Sequence, residues 1–217
     1  MKKLVMLLLL VFAGAVVLQA QESSVKKERV EISAGLGYGW LLNSNLSPYG
    51  LHYRGNYKGG ITGSVDAFYC FDGWKAGVLF SNLSTSGNYT VEGDMVAEDI
   101  TVNYIAPQLK ADKHFAERWI LSVAIGAGYL WYANKGWQNT TEYKVTAHAL
   151  GVNSRLEIAY RLLPRLDIFG ALSYWGAYNI KEFKVESQGE STTSDLDDPY
   201  QLKFNTTELM CGIRVVF

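Results

Sequence analysis

Histidine is the residue type in this chain most suited to acid–base chemistry or metal binding, and the sequence contains three: His52, His114 and His148. None belongs to an HExxH pattern or to another spacing typical of metal ligands. The two residues after His148 are Ala149 and Leu150, so no serine stands beside it as a partner. We therefore expect no catalytic residue, no metal site and no cofactor.

Charged side chains form a more informative set, because eight of them fall on the polar face of alternating segments. They are Glu31, Asp66, Lys75, Arg155, Glu157, Arg161, Glu208 and Arg214. Charges enclosed by a closed sheet must be paired, and the first and last strands would bring Glu31 close to Arg214. The set predicts a salt-bridged plug, and the alternative is a narrow ion-conducting pore.

The two cysteines could form a disulfide if the protein is exported. The alternation places Cys70 on the polar face of a second strand and Cys211 on the apolar face of the last one. The first strand would lie between them, so their separation is about 9–10 Å. A disulfide requires Cα atoms within about 7 Å, and we therefore predict two free, buried thiols.

Composition limits the elements that can position these residues. The 217 residues contain 20 Lys and Arg against 21 Asp and Glu, without the basic excess typical of nucleic-acid binders. Charged residues make up only 19%, whereas there are 21 Gly, 14 Tyr and 6 Trp. This composition favours strands that carry small and aromatic side chains.

The first twenty residues have the pattern of a secretory signal peptide. Lys2 and Lys3 precede an apolar run over 4–17, and Ala20 is the small residue expected before cleavage. We therefore predict a signal peptide over 1–20 and a single domain over 21–217. No later apolar run approaches the roughly 20 residues of a spanning helix. The exported protein is then either soluble or a membrane barrel.

Alternation with a period of two residues indicates strands along the remaining chain. Eight strands are predicted near 30–42, 61–71, 74–81, 100–110, 119–131, 144–162, 166–178 and 208–217. Long connections near 43–58, 83–97, 134–142 and 181–202 alternate with short ones near 72–73, 111–117 and 163–165. This rhythm predicts an all-β, eight-stranded, antiparallel up-and-down barrel. Pro107 is expected to mark a bulge, and the facing of the fourth and seventh strands stays open.

The content of the two faces indicates which one points outward. The polar face is mostly Gly, Ala and Ser, which suits a crowded interior, and the other face carries aliphatic and aromatic residues. On the fifth strand, Trp119 and Trp131 are separated by roughly 30 Å at 3.3 Å per residue and a tilt of about 40°. That distance matches an apolar band with an aromatic girdle at each edge. The alternative is a soluble sandwich with these rings in its core.

The girdle prediction extends to other strands. Near the rim of the long loops it includes Trp40, Tyr129 and Trp131. Near the rim of the short turns it includes Tyr69, Phe71, Trp74, Trp119, Tyr160 and Phe217.

The last nine residues, Leu209 to Phe217, alternate and end in Phe, and they resemble the closing strand of bacterial outer-membrane barrels. The whole chain resembles the small barrel family of the OmpA-transmembrane and OmpX type. The segments 104–107 and 157–162 are similar to versions common in Bacteroidetes. The resemblance implies a Gram-negative outer-membrane location, contact with membrane lipid, and a terminal Phe217 that acts as the signal to the barrel-assembly machinery.

We expect a non-enzymatic, monomeric protein with a structural or surface-interaction role, presenting four long extracellular loops. The first loop combines aromatic and basic residues suited to host-cell or polysaccharide surfaces: Tyr49, His52, Tyr53, Arg54 and Tyr57. The alternatives are a narrow porin-like channel, a lipid-A-modifying enzyme, and a soluble lipocalin-like binder. We expect no nucleic-acid partner.

Overall fold

The computed structural model of the protein describes residues 30–42, 59–91, 93–180, 182–195 and 202–217. The predicted signal peptide and the five interaction residues of the first long loop lie outside the described residues. The strands are β1 (Val30–Leu41), β2 (Gly59–Cys70), β3 (Lys75–Val91), β4 (Asp94–Ala116), β5 (Trp119–Gln138), β6 (Thr141–Leu163), β7 (Leu166–Ile180), β8 (Glu182–Ser187), β9 (Glu190–Asp195) and β10 (Leu202–Val216).

Eight of these strands form a closed antiparallel ring. Each of β1 to β6 pairs with the next, β7 pairs with β10, and β10 pairs with β1. Backbone hydrogen bonds between Val30 and Phe217 extend the closing pair to the end of the chain. The remaining two strands, β8 and β9, form a hairpin that pairs with the upper part of β6. The predicted ring of eight strands therefore agrees with the pairing, and the hairpin comes from the predicted last loop.

The registers fix the width of the ring. Following directly paired residues once around it from Glu31 leads to Leu41, ten residues further along β1. Eight strands with this stagger tilt by about 40° and enclose a lumen about 8 Å in backbone radius. A lumen of this size accommodates side chains and little else.

Along each strand, alternate side chains point into the lumen and toward the outside of the ring. On β1, Glu31 and Ser33 are buried inside, whereas Ile32 and Leu36 are exposed outside. The same pattern holds on β4, where Tyr104, Gln108 and Lys110 point inward, and it settles the facing that the sequence left open. Aliphatic and aromatic residues thus dominate the outer surface.

Two predicted long loops are instead tall β-hairpins, so the predicted set of four long loops was wrong. β3 and β4 continue to a tight turn at Gly93, whose φ is 97°. β5 and β6 continue to a turn at Asn139, whose φ is 53°, and Asn tolerates this left-handed conformation better than most residues. These strands rise above the rest of the ring instead of ending at its rim.

The bulge predicted at Pro107 was also wrong. Pro107 faces outward opposite Val78, and the register between β4 and β5 is the same before and after it. Around Pro107, two ladder pairs with β5 are missing, those of Ala106 and of Pro107 itself. Because proline has no N–H to donate, these ladder pairs are lost, but the register of β4 against β5 is not shifted.

We predict that Leu172→Arg lowers the free energy of unfolding by about 2–4 kcal/mol in phospholipid vesicles, because Leu172 is exposed midway along the apolar band. The matched change Leu163→Arg lies beyond the band and should cost about 0–1 kcal/mol. Reversible guanidinium unfolding measures both. Equal small effects would contradict a lipid-facing outer surface.

Candidate functional site: a filled lumen beneath an extracellular sheet

A layer of charged side chains fills the half of the lumen nearest the short turns. Its contacts centre on two buried carboxylates, Glu157 and Glu31. Glu157 accepts from Arg214 at 2.8 Å and lies 3.3 Å from Lys110. Glu31 accepts from Lys110 at 2.6 Å and from Lys75. The expected contact between Glu31 and Arg214 exists but is longer, at 3.8 Å.

Further ion pairs extend this layer in both directions along the lumen. Arg155 donates to Asp66 at 3.0 Å. At the opposite end, Arg214 and Arg161 both approach Asp167, at 2.9 and 3.2 Å. Ring contacts add to these pairs, since the guanidinium of Arg155 lies 4.9 Å from the centre of the Phe169 ring.

Three members of the layer were missed by the sequence analysis: Lys110, Asp112 and Asp167. Lys110 lies on β4 and Asp167 on β7, the two strands whose facing was ambiguous, and Asp112 follows Lys110 on the same inner face. With them the ionic layer is balanced, with five cations and five carboxylates. These are Lys75, Lys110, Arg155, Arg161 and Arg214 with Glu31, Asp66, Asp112, Glu157 and Asp167.

Glu208 differs from the other predicted lumen charges. It is buried, and its described polar contact is the hydroxyl of Thr62, which donates at 2.6 Å. No cation lies within 4 Å of it among the described residues. Glu208 is therefore held by hydrogen bonding outside the ionic layer.

Apolar side chains fill the other half of the lumen. Tyr104 stacks on Trp175 with ring centres 5.5 Å apart, and Trp175 contacts Phe204 at 4.8 Å. Leu83 completes this cluster, and all four side chains are almost fully buried. A cavity of about 10 Å³ between Asp66, Gln108 and Arg155 is comparable in size to one water molecule. The described lumen is thus closed by two successive layers, one ionic and one apolar.

The outer surface carries two rings of aromatic side chains, as the sequence predicted. In the ring near the short turns, Phe71 stacks on Trp74 at 4.3 Å and Trp119 contacts Tyr160 at 5.0 Å. The outer ring includes Tyr38, Trp40, Tyr129 and Trp131. The rings are separated by roughly 25–30 Å, the height of a membrane's apolar band with its interfaces.

Beyond the outer aromatic ring, the upper parts of β3, β4, β5 and β6 join β8 and β9 in what we call the extracellular sheet. Gln138 and Asn139 donate to the carboxylate of Asp94 at 3.0 and 2.7 Å, which ties the tips of the two tall hairpins together. The side-chain amides of Asn139 and then Gln138 lower the pKa of Asp94. These hydrogen bonds and the β4–β5 ladder, which continues to Val96 and Gln138, join the two hairpins in one sheet.

The inner face of the extracellular sheet contains a second polar cluster. Glu98 is buried and accepts from Asn134 at 2.8 Å and from the hydroxyl of Tyr143 at 2.6 Å. Burial, and then the hydrogen bond to Glu98, raises the pKa of Tyr143 well above its ordinary value. Gly136 makes room for this ring, since a Cβ there would lie 2.0 Å from the Tyr143 ring.

The extracellular sheet exposes two large apolar side chains and two strand edges. Met95 and Trp137 are 65% and 37% exposed near the hairpin tips. Trp137 lies six residues beyond Trp131 on β5, about 15 Å further from the membrane. In the described residues, β9 pairs only with β8, and β3 beyond Ser86 pairs only with β4.

Two of the three histidines considered for catalysis, His114 and His148, lie within the described residues, on different strands. His114 lies near the turn after β4, and His148 faces outward and stacks on Tyr129 at 5.6 Å. Within the described ranges, no three His, Cys, Asp or Glu side chains are arranged to hold a metal ion. Cys70 and Cys211 are free thiols, but Cys211 is exposed on the outer face, so the expectation that both are buried was wrong.

Solved structures with a similar fold are outer-membrane proteins. No protein-family model and no curated protein matches the sequence. A major outer-membrane protein of Thermus thermophilus aligns with a TM-score of 0.63 at 13% identity, covering 87% of this chain and 99% of that one. Neisserial surface protein A aligns at 0.52 and 14% identity over 87% and 97%. OprG of Pseudomonas aeruginosa aligns at 0.52 and 14% identity over 88% and 97%.

These similarities show that the chain has the fold of outer-membrane β-barrel proteins. The apolar outer face and its two aromatic rings are what lipid contact requires. Among the described residues, no helix is long and apolar enough to cross a membrane. Fold and surface together agree with the predicted location, the outer membrane of a Gram-negative bacterium.

We predict that Glu157→Gln lowers the free energy of unfolding by about 3–5 kcal/mol, because it leaves Lys110, Arg155 and Arg214 short of one buried counter-charge. Guanidinium unfolding in vesicles measures the change. The control Glu186→Gln removes an exposed carboxylate and should leave the free energy unchanged. Equal stability of the two variants would contradict a tightly coupled ionic layer.

Proposed function

We propose that this protein is a non-enzymatic outer-membrane barrel that binds extracellular macromolecules through its extracellular sheet. The observation that carries the proposal is the exposure of Met95 and Trp137 at the hairpin tips. Large apolar side chains at this height have no lipid to contact. Aromatic residues and Met are the types enriched at protein-binding surfaces.

The filled lumen supports a role at the surface over transport. The stack of Tyr104, Trp175 and Phe204 closes one half of the lumen, and the salt-bridged layer closes the other. A narrow porin-like channel would need a continuous polar path, which this packing does not offer. The two described histidines, His114 and His148, lie on different strands and give no support to a lipid-A-modifying enzyme. The apolar outer face gives none to a soluble lipocalin-like binder.

The shape of the extracellular sheet also suits binding. Its tips stand roughly 15–20 Å above the outer aromatic ring, and the bonds from Asn139 and Gln138 to Asp94 hold them rigidly. Among the described residues β9 pairs with β8 alone, and its other edge offers backbone groups that an extended segment of a partner could pair with. A preformed, rigid surface lowers the entropic cost of binding.

The proposal also covers the barrel family of this chain, its oligomeric state and its assembly signal. We assign the chain to the small barrels of the OmpA-transmembrane and OmpX type, in the form common in Bacteroidetes, acting as a monomer. Phe217 is exposed at the end of the strand that closes the ring. This position suits the predicted assembly signal, which must be accessible while the ring is still open.

We predict that Trp137→Ala weakens binding of the protein to its extracellular partner by about 30-fold, the effect of losing an aromatic hot spot. Proteoliposomes that display the protein would be tested against a panel of purified extracellular proteins and polysaccharides. Binding by wild type and loss with Trp137→Ala is the expected result.

The matched control is Trp119→Ala, which removes the same residue type from the opposite rim and should leave binding intact. Deletion of 43–58 separates a contribution of the first loop from that of the sheet. Heat-modifiable gel migration verifies that each variant is folded. If Trp137→Ala binds as tightly as wild type, the hairpin tips are not the binding surface.

A further inference from the structure

The outward face of the extracellular sheet carries one aromatic side chain among the described residues, that of Trp137. Its direct cross-strand partners are Ala97 on β4 and Glu142 on β6. Trp137 is 37% exposed and lies about 15 Å beyond the outer aromatic ring. A ligand that covers this indole therefore displaces water and not membrane lipid.

Small and polar side chains surround Trp137 on that face. Its neighbours at directly opposed, diagonal or next-but-one positions are Met95, Ala97, Asp99, Lys135, Glu142 and Lys144. Ala97 has the smallest side chain of this set, and the row continues beyond it to Asn88 on β3. This leaves a shallow strip beside the indole, over β4 and β3.

The charges around the indole are balanced. The neighbouring set contains two ammonium groups and two carboxylates, those of Lys135, Lys144, Asp99 and Glu142. Lys135 has Asp99 as a direct cross-strand partner, and Lys144 has Glu186. A charged ligand would be attracted by one sign and repelled by the other at similar distances. The surface therefore favours an uncharged ligand.

The apolar area of this face suits a sugar ring better than a protein. Met95 and Trp137 are the large apolar side chains exposed on its described part. Stable protein interfaces bury about 800 Å² on each partner around a core of several such residues. A pyranose needs one aromatic ring, because its C–H groups pack on the negative face of the ring. Its hydroxyls both donate and accept hydrogen bonds, so they match carboxylates and ammonium groups together.

We propose that Trp137 is the platform of a saccharide-binding site and that the partner of the extracellular sheet is an uncharged glycan of another cell. This inference rests on the proposed function, because it names the partner class of the same surface. One pyranose ring packs on the indole. Its hydroxyls donate to the carboxylates of Asp99 and Glu142 and accept from the ammonium group of Lys135. The position near the hairpin tips favours a glycan that approaches from outside over the sugars of the surrounding membrane.

The test uses the full protein in phosphatidylcholine nanodiscs, which carry no glycan. A printed array presents neutral oligosaccharides, their sulfated or carboxylated counterparts, and oligosaccharide released from the cell's own outer membrane. We expect wild type to bind neutral oligosaccharides, and to bind neither the charged counterparts nor the cell's own oligosaccharide more tightly.

Titration with the best neutral ligand then measures three variants. Trp137→Ala should lose about 30-fold in affinity, the effect of removing an aromatic hot spot. Trp137→Phe keeps an aromatic face and should lose less than about threefold. Glu142→Gln should lose about tenfold, because a hydroxyl donates more strongly to a carboxylate than to a neutral amide.

The matched controls are Trp119→Ala, at the opposite rim, and Glu186→Gln, an exposed carboxylate of the same face outside the neighbouring set. Both should bind as wild type does, and gel migration with and without heating verifies that every variant folds. No glycan binding by wild type, equal binding by Trp137→Ala, or tighter binding of charged counterparts would overturn the inference.

The same experiment separates this inference from the proposed function. If no glycan binds but a purified extracellular protein binds wild type and not Trp137→Ala, the saccharide assignment fails and the proposed function stands. If the cell's own oligosaccharide binds as tightly as the best neutral ligand, the assignment to another cell is wrong.

Discussion

Neutralisation of charge inside a closed ring of strands is the constraint on which the rest of this structure depends. Eight strands with a stagger of ten residues enclose space for side chains, not for bulk water. A charge placed there without a partner is very unfavourable. The chain places five cations and five carboxylates in one layer, with Glu157 and Glu31 each contacting more than one cation. The lipid-facing surface carries almost no charged side chains, and this explains why only 19% of the residues are charged.

The same constraint fills the described lumen, so the binding surface that we propose lies outside it. Above the ionic layer, Tyr104, Trp175 and Phe204 fill the barrel with packed rings. The two tall hairpins continue beyond the membrane as a rigid sheet with exposed Met95 and Trp137. A rigid, filled base and a protruding sheet are features of a protein that presents a surface.

The sequence predicted the fold closely where the two faces of a strand differ in polarity. On β1, β2 and β5 the outward aliphatic residues alternate with small or charged inward ones, and the structure has that facing. The alternation was unreadable where both faces are apolar, as on β4, with Tyr104 inside and Ile105 outside. Lys110 was missed for that reason, whereas Asp112 was missed because the sequence predicts a short connection over 111–117 and β4 in fact continues to Ala116.

Above the membrane, too, a strand cannot be recognised from a difference in polarity between its two faces. Beyond Leu83 the outward residues of β3 are Ser84, Ser86 and Asn88, because that face meets water instead of lipid. The segment therefore resembles a loop in sequence, although its backbone continues the strand. The partners of each lumen charge depend on the registers of all eight strands, and no single segment of sequence encodes them.

Ion conduction through the barrel tests the central claim most directly. Purified protein reconstituted in planar lipid bilayers would be recorded at single-channel resolution. Two successive closed layers in the lumen predict no steady open current, in wild type and in Trp137→Ala alike. A steady open current from the wild-type protein would contradict a lumen filled by paired charges and packed rings.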